Sequence, residues 1–370
     1  MRPGSISGWI DTKAFDIDLI TLTITAMKRI MIMLALLAAL AVGCRTGNKL
    51  TDTDEVINLI METDIGNDVD DALAMDLLYK YADAGKINLL GVCVNKEGPA
   101  PGEFVDILNT WYGHPDVPIG IIRDGADCET DAINYAKAVV MMNDEAGQPA
   151  FARTLKEYES LPEAPVLYRK LLSEAADNSV VIASVGFSTN LIRLLGTDPD
   201  SYSDLDGKDL VAKKVKLLVT MAGDFENPDI HEYNVVKDIP AAKVIFEEWP
   251  TPVVTSPFEV GCQIKYPATS IENDFGWAGL HPVVEAYKAY MPMPYDRETW
   301  DPTAVLYAVE GGSWFTVSEP GKITVSDEGS TFFTPDPAGT RRYLSVTPDQ
   351  AEAVKAHFIK VITSVPANRK

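Results

Sequence analysis

Short apolar runs alternate along the chain with segments whose apolar positions recur every three or four residues. The runs cover residues 56–61, 87–94, 117–122, 179–185, 215–221 and 252–256. Runs of this length and composition predict buried strands, and the periodic segments after them predict helices. Strands that are apolar throughout and alternate with helices indicate an α/β fold. We expect a mostly parallel, Rossmann-like central sheet with helices on both faces.

The pattern changes in the last quarter of the chain. Helices are predicted near residues 280–290 and 301–310, and residues 314–346 have the alternation of hairpin strands. A last helix is predicted from residue 348 to about residue 362. The fold class therefore includes C-terminal hairpin strands and a C-terminal helix.

The first predicted strand runs into an acidic turn. Five acidic side chains occupy residues 62–71: Glu62, Asp64, Asp68, Asp70 and Asp71. Helical spacing then begins at Ala72. Carboxylates this close repel one another, and a hard cation such as Ca²⁺ or Mg²⁺, which prefers oxygen ligands, would relieve the repulsion. The alternative is that these residues only form a loop and a helix N-terminus, where negative charge suits the helix dipole.

Polar residues also follow the other predicted strands. Ligands of parallel sheets bind beyond the carboxyl ends of the strands. Candidates for a site are therefore Asp64 and its neighbours, Asn95, residues 185–186 and residues 221–224.

The charge of the chain excludes two classes of partner. The sequence has 370 residues and a formal net charge of −22. This balance argues against binding to the nucleic-acid backbone and against electrostatic docking on anionic lipid.

The N-terminal residues predict export. A basic segment at residues 27–29 precedes an uncharged apolar run at residues 30–42, which is too short to span a bilayer and is typical of a signal peptide. The run ends in Leu-Ala-Val-Gly-Cys at residues 40–44, which resembles a bacterial lipobox with Cys44 as the lipidated residue. We expect residues 1–44 to form the signal peptide, with translation starting at Met27, because the acidic residues before it are unlike a signal sequence.

Beyond the signal, the chain divides simply. Residues 45–55 are polar and predict a tether, and residues 56–370 predict one enzyme-sized domain. The only expected membrane contact is the lipid anchor, which would place the domain outside the cytoplasm on a bacterial membrane.

Three cysteines remain after Cys44, an odd number without metal-ligand spacing: Cys93, Cys128 and Cys262. Cys93 is expected to be a small buried residue.

Five motifs, in order, resemble the inosine–uridine nucleoside hydrolase family. They are the acidic stretch Asp64–Ala72, Val94-Asn95, Val185–Leu191, Met221–Gly223 followed by His231–Asn234, and Trp300–Ala304. The acidic stretch differs from the family pattern D-x-D-x-G-x-D-D-A in two respects. Glu62 replaces the first aspartate, and two additional residues precede Asp70-Asp71.

The resemblance implies an N-ribosyl hydrolase with Ca²⁺ as its cofactor. The implied ligands are Asp64, Asp71, Asp301 and the carbonyl of Val185. Asp70 and Asp68 are less direct matches because of the insertion, and which of the two is a ligand stays open. Asp64 would also take a proton from a metal-bound water that attacks the sugar. The substrate would be a nucleoside or related riboside, contacted by Asn95, Met221, Glu232, Asn234 and Trp300. A homo-oligomer is compatible with this family.

One departure concerns the leaving group. Purine-cleaving members place a histidine before the late aspartate, whereas this chain has Trp300, whose indole cannot act as a general acid. Trp300 would instead stack on the base, and His231 is the candidate acid. Two alternatives stay open: a lipid-anchored nucleoside- or sugar-binding protein without turnover, and a phosphatase-like hydrolase with Asp64 as nucleophile.

Overall fold

The structure is a computed structural model that describes Met1, residues 56–126 and residues 134–370. The predicted signal peptide, its Cys44 and the tether lie outside the described residues, as does Cys128. Within the described part of the chain, no helix is long and apolar enough to cross a membrane.

The first half of the described chain alternates strands and helices, except that α3 and α4 are consecutive, as are α5 and α6. In chain order the elements are β1 (Ile57–Thr63), α1 (Asp70–Asp83), β2 (Ile87–Val94), α2 (Pro99–Tyr112), β3 (Ile119–Gly120), α3 (Tyr135–Val140), α4 (Ala164–Glu174), β4 (Val180–Ser184), α5 (Thr189–Leu195), α6 (Gly207–Lys214) and β5 (Val215–Met221).

The second half is richer in short elements. They are α7 (Tyr233–Val236), α8 (Ile239–Glu248), β6 (Val253–Ser256), α9 (Phe258–Cys262), β7 (Lys265–Tyr266), α10 (Ala268–Asn273), α11 (Pro282–Tyr290), β8 (Arg297–Glu298), α12 (Trp300–Glu310), β9 (Thr316–Val317), β10 (Gly321–Val325), β11 (Thr331–Pro335), β12 (Arg341–Ser345) and α13 (Pro348–Ile362).

Six of the strands form a parallel sheet in the order β6-β5-β4-β1-β2-β3. This is the doubly wound order: successive strands are added on one side of β1 up to β3, and from β4 onward they are added on its other side. At such a switch point the loops after the two central strands turn to opposite faces and leave a crevice between them. The residues after β1 and β4 therefore border the crevice.

The C-terminal hairpin joins this sheet. β12 pairs in parallel with β6, and the antiparallel strands β10, β11 and β9 extend the sheet beyond it. The sequence pattern predicted the hairpin strands but not their attachment. The predicted mostly parallel sheet flanked by helices is confirmed.

The core has two large clusters. One packs helices α4, α5 and α6 against β4 and β5 and contains Cys93, which is fully buried as expected. The other places Ile323 and Val325 of β10 against Ala242 and Phe246 of α8. The first cluster covers the central strands on either side of the switch point and gives it a rigid support.

Candidate active site

A cavity of about 710 Å³ opens at the carboxyl edge of the sheet, at the switch point. It is larger than one nucleoside requires and lies within the size range of small-molecule sites. Its walls consist of Asp64, Asn67, Asp68, Asp70, Asp71, Val185, Met221, Ile230, His231, Glu232, Tyr233, Asn234, Phe258, Tyr290, Trp300 and Asp301. The structure thus brings together every predicted site residue except Asn95.

Four aspartates form the floor of the cavity. Asp64, Asp70, Asp71 and Asp301 are each no more than 5% exposed. Burial raises the pKa of Asp64 to about 7, and burial followed by repulsion from the neighbouring carboxylates holds the pKa of the other three well above the usual range. Burial and mutual repulsion therefore both disfavour simultaneous ionisation of the four carboxylates, and a nearby cation would favour it.

Hydrogen bonds orient these carboxylates. The Thr63 hydroxyl donates to Asp71 Oδ1, and the Asp301 backbone N–H donates to Asp70 Oδ2 at 3.0 Å. The Asp71 bond fixes the first turn of α1 to the end of β1, and the Asp70 bond fixes it to the start of α12. Elements distant in sequence therefore hold the acidic groups in one place.

The turn that contains the two-residue insertion has partners of its own. Gly66 has φ +124°, a conformation that favours glycine, and its N–H donates to the Tyr135 hydroxyl at 3.0 Å. Asn67 donates to the Tyr233 hydroxyl at 3.1 Å and accepts from Lys96. These bonds hold the turn at the cavity wall, which Asn67 and Asp68 line.

Glu232 and Asn234 lie on the opposite wall. Glu232 caps α7 and accepts from the backbone N–H of Gly223 at 3.0 Å and of Asn234 at 2.8 Å. Burial raises the pKa of Glu232 to about 7 although these N–H donors act against the rise. The Asn234 amide donates to the carbonyls of Val185 at 3.1 Å and Met221 at 3.0 Å. Both of its N–H groups face internal acceptors, so Oδ1 is the amide atom left for a ligand.

Asn95 does not reach the cavity wall. It is fully buried, and its amide donates to Glu62 Oε1 at 3.1 Å and to the Phe187 carbonyl at 2.9 Å. Its Oδ1 has no hydrogen-bond partner and lies 2.6 Å from the position that a Cβ on Gly186 would occupy. Asn95 therefore lies behind the cavity wall, and its predicted contact with ribose stays a prediction.

Trp300 has a packed indole. Its Nε1 donates to the Phe258 carbonyl at 2.9 Å, its ring stacks on Phe258 at 5.5 Å, and the Arg297 guanidinium lies 5.0 Å from the ring centroid. The indole is part of an aromatic wall with Phe258, Tyr233 and Tyr290. The expected stacking of a base on Trp300 is thus restricted by neighbours that already contact the ring.

The sequence analysis did not single out Phe258, Tyr290 or Ile230 as wall residues. Phe258 comes soon after β6, but an apolar residue at a strand end does not differ in the sequence from a core residue. Tyr290 ends α11, which does not follow a strand of the central sheet, and the sequence carried no signal for it.

Comparison with known proteins shows the family of the chain. The family "Inosine-uridine preferring nucleoside hydrolase" matches residues 59–367. A search of curated proteins found no match.

Three solved structures show the same fold. A plant nucleoside hydrolase, PpNRh1, has 19% identity and a TM-score of 0.64, covering 84% of this chain and 100% of its own. A purine-preferring ribonucleoside hydrolase from Gardnerella vaginalis has 18% identity and a TM-score of 0.61, covering 83% and 98%. An inosine-uridine preferring nucleoside hydrolase from Bacillus anthracis has 17% identity and a TM-score of 0.61, with the same coverages.

The fold and the acidic cavity define an N-ribosyl hydrolase. The chain belongs to the inosine-uridine preferring nucleoside hydrolase family, of which it is a divergent member. The resemblance that the five motifs indicated is confirmed.

Proposed function

We propose that the protein hydrolyses the N-glycosidic bond of uncharged ribonucleosides, or of related ribosides, with Ca²⁺ as cofactor. The observation that carries the proposal is the convergence of Asp64, Asp70, Asp71 and Asp301 in a nucleoside hydrolase fold. Family membership supplies the reaction class, and the chemistry of the cavity supports the cofactor and the substrate class.

The donor set fits a hard cation. Carboxylates and a main-chain carbonyl are the ligands that Ca²⁺ prefers, and the raised pKa values identify carboxyl groups that need a cation in order to ionise together. The residues that would hold it are Asp64, Asp70, Asp71, Asp301 and the carbonyl of Val185. Within the described residues, no three His, Cys, Asp or Glu side chains form a ready-made metal cage. The side chains must therefore adjust on binding.

Asp64 is the proposed base. A bound Ca²⁺ would supply positive charge that lowers the pKa of nearby water. The oxygen of a water molecule attacks the sugar C1′ while Asp64 accepts a proton from that water. The C–N bond breaks, and its electron pair leaves with the nucleobase or other leaving group. The surrounding carboxylates stabilise the oxocarbenium-like sugar. Glu232 and the Asn234 Oδ1 accept hydrogen bonds from ribose hydroxyls.

The charge of the cavity favours uncharged substrates. Six wall residues carry carboxyl groups: Asp64, Asp68, Asp70, Asp71, Glu232 and Asp301. A phosphate group would be repelled by these residues when they are ionised. We therefore expect nucleosides to be cleaved in preference to nucleotides.

The test is a hydrolysis screen of purine and pyrimidine nucleosides and their 5′-phosphates, with Ca²⁺ and with chelator, against Asp64→Asn as control. The proposal requires release of free base that stops in chelator. Ca²⁺ binding and ribose binding without turnover of any riboside would overturn it in favour of the ligand-binding alternative. Equal cleavage of nucleosides and nucleotides would contradict the substrate class.

We further propose that the precursor is exported and lipidated on Cys44. The support is the basic segment, apolar run and lipobox-like residues 40–44 of the sequence. Metabolic labelling with a fatty acid should mark the wild type and not Cys44→Ala. Labelling of both, or of neither, would contradict the proposal.

A further inference from the structure

Asp68, from the inserted turn, forms a two-point ion pair with Arg297. The Arg297 Nε donates to Asp68 Oδ1 at 2.8 Å, and Nη2 donates to Oδ2. The side chains are only 31% and 18% exposed. Two parallel bonds to one carboxylate are strong and directional, and lysine cannot reproduce them.

The guanidinium group also contacts the aromatic wall. Its Cζ lies 5.0 Å from the centroid of Trp300 and 5.3 Å from that of Tyr290, both of which line the cavity. Arg297 lies in β8, shortly before Asp301 at the start of α12. The pair therefore connects the acidic turn to the segment that carries Asp301 and to the aromatic wall.

Asp68 lies close to the proposed metal ligands. It lines the same cavity as the proposed ligands Asp64, Asp70 and Asp71, and it precedes Asp70 by two positions in the chain. An unpaired carboxylate at this position would therefore repel the ligand cluster or compete for its cation. Pairing with Arg297 holds Asp68 in a fixed position and supplies an opposite charge.

We propose that Asp68 and Arg297 are positioning residues, which latch the acidic turn onto the β8–α12 segment and thereby set the affinity of the site for Ca²⁺. The inference rests on the proposed function, because it takes the acidic cluster to be the cation site. It assigns a role to the insertion: Asp68 organises the ligands and is not one of them.

The test is a double-mutant cycle on Ca²⁺ affinity, measured by calorimetry on the full chain. The variants are Asp68→Asn, Arg297→Gln and the combination of both, with Arg297→Lys as the conservative variant. Glu298→Gln is the matched control, because Glu298 contacts Arg297 Nη1 at 3.3 Å and Lys265 but does not line the cavity. Melting curves in chelator verify that each variant folds.

If the pair has this positioning role, each single substitution weakens Ca²⁺ binding by roughly three- to tenfold, and the double variant binds Ca²⁺ no more weakly than either single variant. Arg297→Lys should recover part of the loss, and the control should bind like the wild type. At saturating Ca²⁺ both singles should lose much less kcat than Asp64→Asn, since neither touches the reacting atoms.

Two results would overturn the positioning role of the Asp68–Arg297 pair. If Asp68 is a ligand, Asp68→Asn weakens binding while Arg297→Gln, which frees the carboxylate, strengthens it. If the pair is only a solvent-facing contact, all variants bind Ca²⁺ like the wild type. Either result would leave nucleoside hydrolysis by the wild type intact. A wild type that binds Ca²⁺ but cleaves no riboside would defeat the proposed function, and the mutant cycle on Ca²⁺ affinity could still be measured. A wild type that binds no Ca²⁺ would overturn both.

Discussion

The backbone N–H of Asp301 donates to Asp70 Oδ2 at 3.0 Å, which joins residues 231 positions apart in the sequence. The bond connects the first turn of α12 to the first turn of α1, and both helices begin at the cavity floor. Carboxylates near two helix N-termini are stabilised by the helix dipoles. The acidic site is therefore assembled from two helix starts and the ends of two strands.

Ca²⁺ should stabilise the fold, and more so at high pH. The pKa of Asp64 is raised from 3.8 to about 7, so between these values the folded state binds more protons than the unfolded state and loses stability as pH rises. A cation removes that loss. Binding at about a hundredfold excess over Kd adds roughly 2.7 kcal/mol, a shift of several degrees in Tm.

The measurement is Tm with Ca²⁺ and with chelator at about pH 5.5 and about pH 8. Because His281, whose pKa is lowered to about 2 by burial, contributes equally with and without Ca²⁺, the difference between the two curves isolates the carboxylates. Equal Tm values in Ca²⁺ and chelator at both pH values would count decisively against a metal in this cluster.

Asp64→Asn should abolish hydrolysis, whereas Asp68→Asn should be milder at saturating Ca²⁺. An amide at position 64 cannot accept the proton, and loss of general base catalysis typically costs about 10²–10⁴-fold. Asp68 is engaged by Arg297 instead. Steady-state kcat of both variants checks this, and losses of similar size would show that the insertion has been aligned wrongly.

Because Trp300 stands in place of a histidine, ribosides with activated leaving groups should be better substrates than nucleosides. With no histidine before Asp301, a nitrophenyl riboside should exceed inosine in kcat/KM by about 10²–10⁴-fold, the usual value of acid catalysis. If His231, an exposed residue of the cavity wall, has become the acid, inosine is cleaved well and His231→Ala removes that activity selectively. Comparable rates for both substrates in His231→Ala would defeat the argument from Trp300.

Gly186→Ala should disrupt the site without a change of charge. A Cβ there would lie 2.6 Å from Asn95 Oδ1 and 2.7 Å from the Asp64 backbone nitrogen, so the end of β1 must shift. A displacement of about 1 Å near reacting groups can cost about 10²-fold in kcat/KM. Gly276→Ala, where an added Cβ meets nothing within 4 Å, is the matched control. Wild-type kinetics in Gly186→Ala would show that the close contact of residue 186 with Asn95 and Asp64 does not control the activity.

The regular elements were largely readable from the sequence. β2 (Ile87–Val94), β5 (Val215–Met221) and α13 (Pro348–Ile362) have the predicted bounds. Their apolar runs and helical period depend on local spacing, and proline at the start of α13 fixes where that helix begins. The predicted strand at 117–122 is reduced to Ile119–Gly120, because pairing with β2 at the sheet edge decides its length.

By itself, then, the sequence determined the doubly wound pattern, the acidic turn after β1 and the strand-end positions of most site residues, since these follow from spacing along the chain. Only the tertiary structure decided that β12 pairs with β6, that Phe258 and Tyr290 line the cavity, that Asn95 faces inward and that Arg297 binds Asp68. Those relationships join residues far apart in the chain, and pairwise contacts at such separations leave no periodic signal in one sequence.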